Sequence, residues 1–126
     1  MNSNAKKIES FTDLVVWQES HKMVVGLYKA TETFPQTAIF GLTNQMRRCV
    51  ISITSNIAEG FGRQSYKERV QFYSIAKGSN LELQNQLLAA GDIGFLNKEK
   101  FQELAEQSVD VGKLLTGLIR KSKEFF

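Results

Sequence analysis

The chain holds a single cysteine, a single histidine and a single proline, and each scarcity removes a class of explanation. One cysteine cannot close an internal disulfide, so this is not a disulfide-stapled scaffold. Cys49 reads as a small buried hydrophobe rather than a reactive thiol. With Cys49 and His21 alone, a zinc site would have to recruit carboxylates. No metal and no cofactor is expected. Apolar runs stay well short of the roughly 18 residues that span a bilayer. The polar start Met1-Asn2-Ser3-Asn4 has no signal-peptide core behind it. The expectation is a cytoplasmic protein with no membrane contact. Strand-like alternation, internal repeats and low-complexity tracts are also missing.

What is present is an ordinary globular composition, 42% apolar and 23% charged over 126 residues. That length suits one domain, able to bury about two-thirds of the surface of its unfolded chain. Residues 1–10 need not be ordered and residues 11–126 form the expected domain.

Hydrophobic spacing predicts helices almost throughout. In the first, Leu14, Trp17, His21, Val25 and Tyr28 recur at steps of three or four, while Met23, Leu27, Ala30 and Phe34 form a second stripe. A helix apolar on two sides either sits deep in a bundle or touches a second subunit. It must end near Phe34-Pro35, because proline disfavours helical geometry in the residue before it. A second helix spans about 42–61, with Met46, Val50, Ile53, Ile57 and Phe61 on one face and Arg48, Ser52, Ser55, Asn56 and Glu59 opposite. Ser65 and Glu68 have the spacing of a capping box. The third helix follows with Phe72, Ala76, Ser79, Leu83, Leu87 and Ala90 in one row, and stops at the glycines 91 and 94. Asn97 can cap the fourth, whose row from Phe101 through Leu104, Ser108, Val111, Leu115, Leu118 and Ser122 to Phe125 keeps a 3.5-residue repeat. Long helices joined by short connections run antiparallel, so the predicted fold is all-α, an antiparallel up-down-up-down four-helix bundle.

The polar groups have competing readings. In SNIAEGFGR, Glu59 stands near the negative end of the second helix, mildly unfavourable for a carboxylate. It calls for a partner on another helix, on another subunit or among amides past Gly60; Arg63 lies beyond the glycine. Glu59 is either a structural tie or a general base. No paired acid, H-x-x-E or nucleophile–base spacing accompanies it, which favours the tie. His21, between Trp17 and Val25, reads as a core or interface histidine rather than a ligand. Gly78-Ser79 interrupts helix propensity at a cost of about 1 kcal/mol, explained most simply by close approach of a neighbouring helix. The pairs Gly60/Gly62 and Gly91/Gly94 follow no strand and read as helix stops, not phosphate cradles.

Charge is polarised once the topology is applied. One end collects Lys6, Lys7, Arg63, Lys67, Arg69, Arg120, Lys121 and Lys123 against Glu9, Asp13, Glu68 and Glu124, eight against four, a net +4. The other end sums to zero, five cations against five carboxylates. Basic residues beside Phe61 and Tyr66 suit sequence-tolerant contact with RNA or DNA, phosphates on the cations and a base on a ring. An ordinary solvated face is the alternative.

Several of these residues carry a resemblance. Phe11 through Gln18 (FTDLVVWQ), Phe34-Pro35, Gly41 through Arg48 (GLTNQMRR), Ser52 through Gly60, and Ala76 through Glu82 fall in the order seen in the four-helix bundle family named after intervening sequences in 23S ribosomal RNA genes. The chain resembles that family over about residues 11–120, though residues 36–40 lack the acidic residue expected before Gly-Leu-Thr. The resemblance implies a homo-oligomer, a ring-shaped homopentamer, without enzyme activity. The accessory variability determinant of diversity-generating retroelements, which binds nucleic acid and a reverse transcriptase through a basic surface, is similar in fold. Five basic ends would put about +20 on one face, making phosphate binding salt-dependent.

Three functions then compete: a non-enzymatic nucleic-acid-binding scaffold using Arg63, Lys67, Arg69, Arg120, Lys121 and Lys123; a protein–protein adaptor ring indifferent to nucleic acid; and an enzyme working at subunit interfaces around Glu59 and His21. Trp17, His21, Arg48, Asn56, Glu59 and Ser79 are the expected structural or interface residues.

Overall fold

The structure, a computed structural model, describes residues 7–126. Its four long helices are α1 (Val15–Thr31), α2 (Asn44–Phe61), α3 (Tyr66–Ile93) and α4 (Lys98–Lys123), with no strand among the described residues. Each helix packs chiefly on two others, α1 on α2 and α4, and α3 on α2 and α4. That closed square, with short connections, is the antiparallel up-down-up-down bundle. Most of the proposed N-terminal segment, with Lys6, lies outside the described residues. Residues 7–9 are exposed and irregular, and Ser10 caps a single turn, Phe11–Asp13.

The core takes Met23 and Leu27 from α1, Val50, Ile53 and Ile57 from α2, Leu83 and Leu87 from α3, and Val111 and Leu115 from α4. The two stripes of α1 separate: Met23, Leu27 and Phe34 face inward, while His21, Val25 and Tyr28 are exposed and Trp17 is half-buried. Serine and threonine on core rows satisfy their hydroxyls within their own helix, so they need no distant partner. Ser20 donates to the Val16 carbonyl (2.6 Å), Ser122 to Leu118 (2.7 Å) and Thr31 to Leu27 (2.9 Å).

The helix ends show how local chemistry sets the corners. α1 stops at Thr31, short of Pro35, and two short turns, Gln36–Ala38 and Ile39–Thr43, lead into α2. Ser65 Oγ accepts from the Glu68 amide (3.1 Å), but Glu68 returns no bond, so the expected box is half formed. A reciprocal box forms instead at Ser10 and Asp13. Gly94 closes α3 in the left-handed region (φ 93°), and Asn97 Oδ1 accepts from the Lys100 amide (2.8 Å).

Three expectations are corrected. A Cβ on Gly60 would stand 2.8 Å from the Tyr73 ring, so this glycine is a contact between α2 and α3 and not a helix stop. Gly78 has nothing within 4 Å of where its Cβ would lie, so no neighbouring helix of the chain approaches it closely. Phe125, the last member of the α4 row, lies past the helix end and is exposed.

Candidate functional site

The corner between α2 and α3 and the end of α4 come together, as the topology requires. Tyr66 stacks on Phe125 with ring centroids 4.9 Å apart. Arg69 places its guanidinium over Tyr66 (4.8 Å) and Phe61 (5.4 Å), and its Nε donates to the Arg63 carbonyl (2.8 Å). Arg63 lies over Phe72 (4.6 Å). Two of the six candidate cations are therefore held against rings. Lys67, Arg120, Lys121 and Lys123 are exposed and make no ion pair among the described residues. Three of those four sit in the last turn of α4, where positive charge also complements the helix dipole.

Glu59 finds its partner where none was expected, in Arg63 across the glycine, at 3.9 Å and with both side chains about half exposed. Such a pair contributes little, ~0–1 kcal/mol. Counting Glu59 at this end brings the sum over the described residues to +2, seven cations against five carboxylates.

Three other candidates converge on a polar seam between α2 and α3. Ser52 Oγ and Ser79 Oγ are 2.9 Å apart, and Asn56 Nδ2 donates to the Ser52 carbonyl (2.8 Å). The Cys49 thiol donates to the Ser79 carbonyl (3.0 Å) and lies 3.7 Å from Glu82 Oε2. Burial, then the Glu82 charge and its hydrogen bond, push the Cys49 thiol up to about 12. Such a thiol stays protonated and inert, as a small buried residue should. Arg48 lines the outer side of this seam and is exposed.

Trp17 and His21 join neither group. Phe11 and Trp17 meet edge to face (5.4 Å), and His21 stacks on the indole (4.7 Å, 11° between planes). His21 is thus a surface histidine in the single chain, not a core one. Tyr28, further along the same outer stripe, carries Arg47 over its ring at 4.7 Å.

Arg47 is a residue that spacing missed. Its Nε donates to Thr31 Oγ1 (2.9 Å) and an Nη to the Tyr28 carbonyl (3.3 Å), tying the end of α1 to α2. A basic residue just after the turn, opposite a helix end with free carbonyls, was the available signal. Spacing also missed Lys77 and Lys113, which flank a groove between α3 and α4. Among the described residues no cluster of three or more His, Cys, Asp or Glu could hold a metal, and no helix is long and apolar enough to cross a membrane.

A family model described as 23S rRNA-intervening sequence protein matches residues 12–117. The chain belongs to that family. The match covers α1 through most of α4, and with them the seam, the α2–α3 corner and the outer stripe of α1. A crystal structure of a protein of unknown function from the S23 ribosomal protein family of Bacteroides thetaiotaomicron VPI-5482 superposes with a TM-score of 0.77. It is 22% identical, and the alignment covers 84% of this chain and 96% of that one. At that identity the likeness speaks for the bundle fold alone. No curated protein matches the chain.

Proposed function

We propose that this 23S rRNA-intervening sequence family member is a non-enzymatic cytoplasmic scaffold that assembles as a homo-oligomer and binds RNA or DNA through its basic end. One observation carries the reading: among the described residues, Lys67, Arg120, Lys121 and Lys123 stand without ion-pair partners at the end that holds the stacked Tyr66 and Phe125. Unpaired cations release phosphate counterions on binding, and an exposed ring offers a base a stacking platform. Assembly is supported by the outer stripe of α1, where Val25 and Tyr28 remain 42% and 38% exposed. A ring of five, as the family resemblance implies, would gather the basic ends on one face. The related retroelement determinant suggests the same polarity of use, but no feature of this chain points to a reverse transcriptase as its partner.

The test is binding of a labelled single-stranded RNA across a salt titration. Affinity is expected to fall steeply with salt, and Lys67→Glu with Lys121→Glu to remove most of it. Binding that ignores both salt and charge reversal would sink the reading.

A second reading, a protein adaptor, is favoured by a different observation. Leu88, Phe101, Ala105 and Val109 line an apolar dip of about 190 Å³ between α3 and α4. It predicts a protein partner that is retained after nuclease treatment, with no affinity for RNA.

A further inference from the structure

A second groove, of about 360 Å³, opens between α3 and α4 toward the basic end. Lys77 of α3 and Lys113 and Arg120 of α4 line it, no carboxylate does, and none of the three has an ion-pair partner among the described residues. Arg120 also belongs to the last turn of α4, so the groove is continuous with the basic end. Asn80 also lines the groove and is 1% exposed; its Nδ2 donates to the Ser108 carbonyl (2.8 Å), and its buried Oδ1 has no partner among the described residues. At the far end Leu81 and Val109 are 60% and 47% exposed, apolar surface within the same groove. Gly117 lines the same groove, and a Cβ there would stand in open space with nothing within 4 Å.

Cations without counter-charges select an anion, and a furrow continuous with the basic end selects an extended one. Packed helices lie about 8–10 Å apart, so the furrow between them suits one strand and not a duplex. We propose that this groove carries a single strand of nucleic acid from the basic end along the flank of the bundle. Its phosphates lie on Lys77, Lys113 and Arg120, and its bases lie against Leu81 and Val109. This rests on the nucleic-acid reading above and specifies its path.

The experiment uses the full chain and a fluorescent single-stranded oligonucleotide. Gly117→Leu fills the channel without changing charge, and it replaces a poor helix former in open space, so circular dichroism should show an intact fold. Its affinity is expected to fall at least tenfold, an effect that a diffuse field at the tip cannot produce. Lys77→Gln with Lys113→Gln should lower the dependence of log affinity on log salt by about 1.4, near 0.7 per lost phosphate contact. If both variants bind like the parent while Lys67→Gln with Lys121→Gln does not, the strand stays at the tip and the groove assignment falls alone. If the parent binds no strand, both readings fall. Displacement of the strand by an equal concentration of mononucleotide or of an acidic peptide would also overturn the assignment.

Discussion

Glycine at position 60, in the last turn of α2, and glycine at position 78, in the middle of α3, are chemically the same residue, yet their surroundings give opposite expectations. A methyl group at Gly60 would be driven against the Tyr73 ring at 2.8 Å and Phe72 Cβ at 3.0 Å. Gly60→Ala is therefore expected to destabilise the fold by about 1–3 kcal/mol through overpacking. At Gly78 the methyl meets open space, and Gly78→Ala is expected to stabilise by up to about 1 kcal/mol from helix propensity alone. Paired denaturant melts read both signs, and equal shifts in the same direction would contradict the packing described. Cys49 supplies a second test at this scale. Its thiol is raised from 9.0 to about 12, so the protonated form is favoured in the folded chain. The stability it contributes is present below pH 9 and is lost as pH rises toward 12, because the unfolded thiol ionises first. Cys49→Ala should flatten that alkaline decline, and the native thiol should resist a disulfide reagent at pH 8 until denaturant is added. Prompt labelling of the native chain would show the seam to be open.

At the scale of the helix, the clearest elements in the sequence are those whose core rows are continuous. The row from Met46 to Ile57 on α2 is buried where periodicity puts it, and so is the row from Leu104 to Ser122 on α4 but for Leu118, which is partly buried. Caps at Ser65 and Asn97 are legible because each needs only a short polar side chain that reaches the backbone amide three residues on. Asn80 and Gln86 are buried on α3 without such warning, since a polar residue declares its burial only through the helix it faces. The same limit hid the groove cations: Lys77 and Lys113 are 36 positions apart, and only the register of α3 against α4 brings them together. The Glu59–Arg63 pair escaped for a smaller reason, that α2 runs on through Gly60 to Phe61 and keeps the two residues one turn apart. The outer stripe of α1 was visible as excess apolarity, and it makes a prediction of its own. Val25 is 42% exposed, so Val25→Asp should leave the melting of the bundle within about 0.5 kcal/mol. In the proposed assembly the same aspartate would be buried without a partner, and light scattering should show dissociation. An unchanged particle mass would remove α1 from the interface.

For the whole molecule, the distribution of charge and the exposed stripe belong to one idea. A net +3 spread evenly over a chain of this size would be unremarkable, but the described residues of the basic end alone hold +2 of it. Copies brought together along α1 in a closed ring would point those ends the same way, and the summed field would hold a strand that one copy holds weakly. Sedimentation of the full chain with a fluorescent single-stranded RNA, followed through the fluorophore at low and then high salt, tests this most directly. At low salt the RNA should travel with a particle several times the 14.2 kDa of one chain, and at high salt the same particle should persist while the RNA returns to its free rate. A 14.2 kDa monomer with the RNA unbound at every salt concentration would contradict the account.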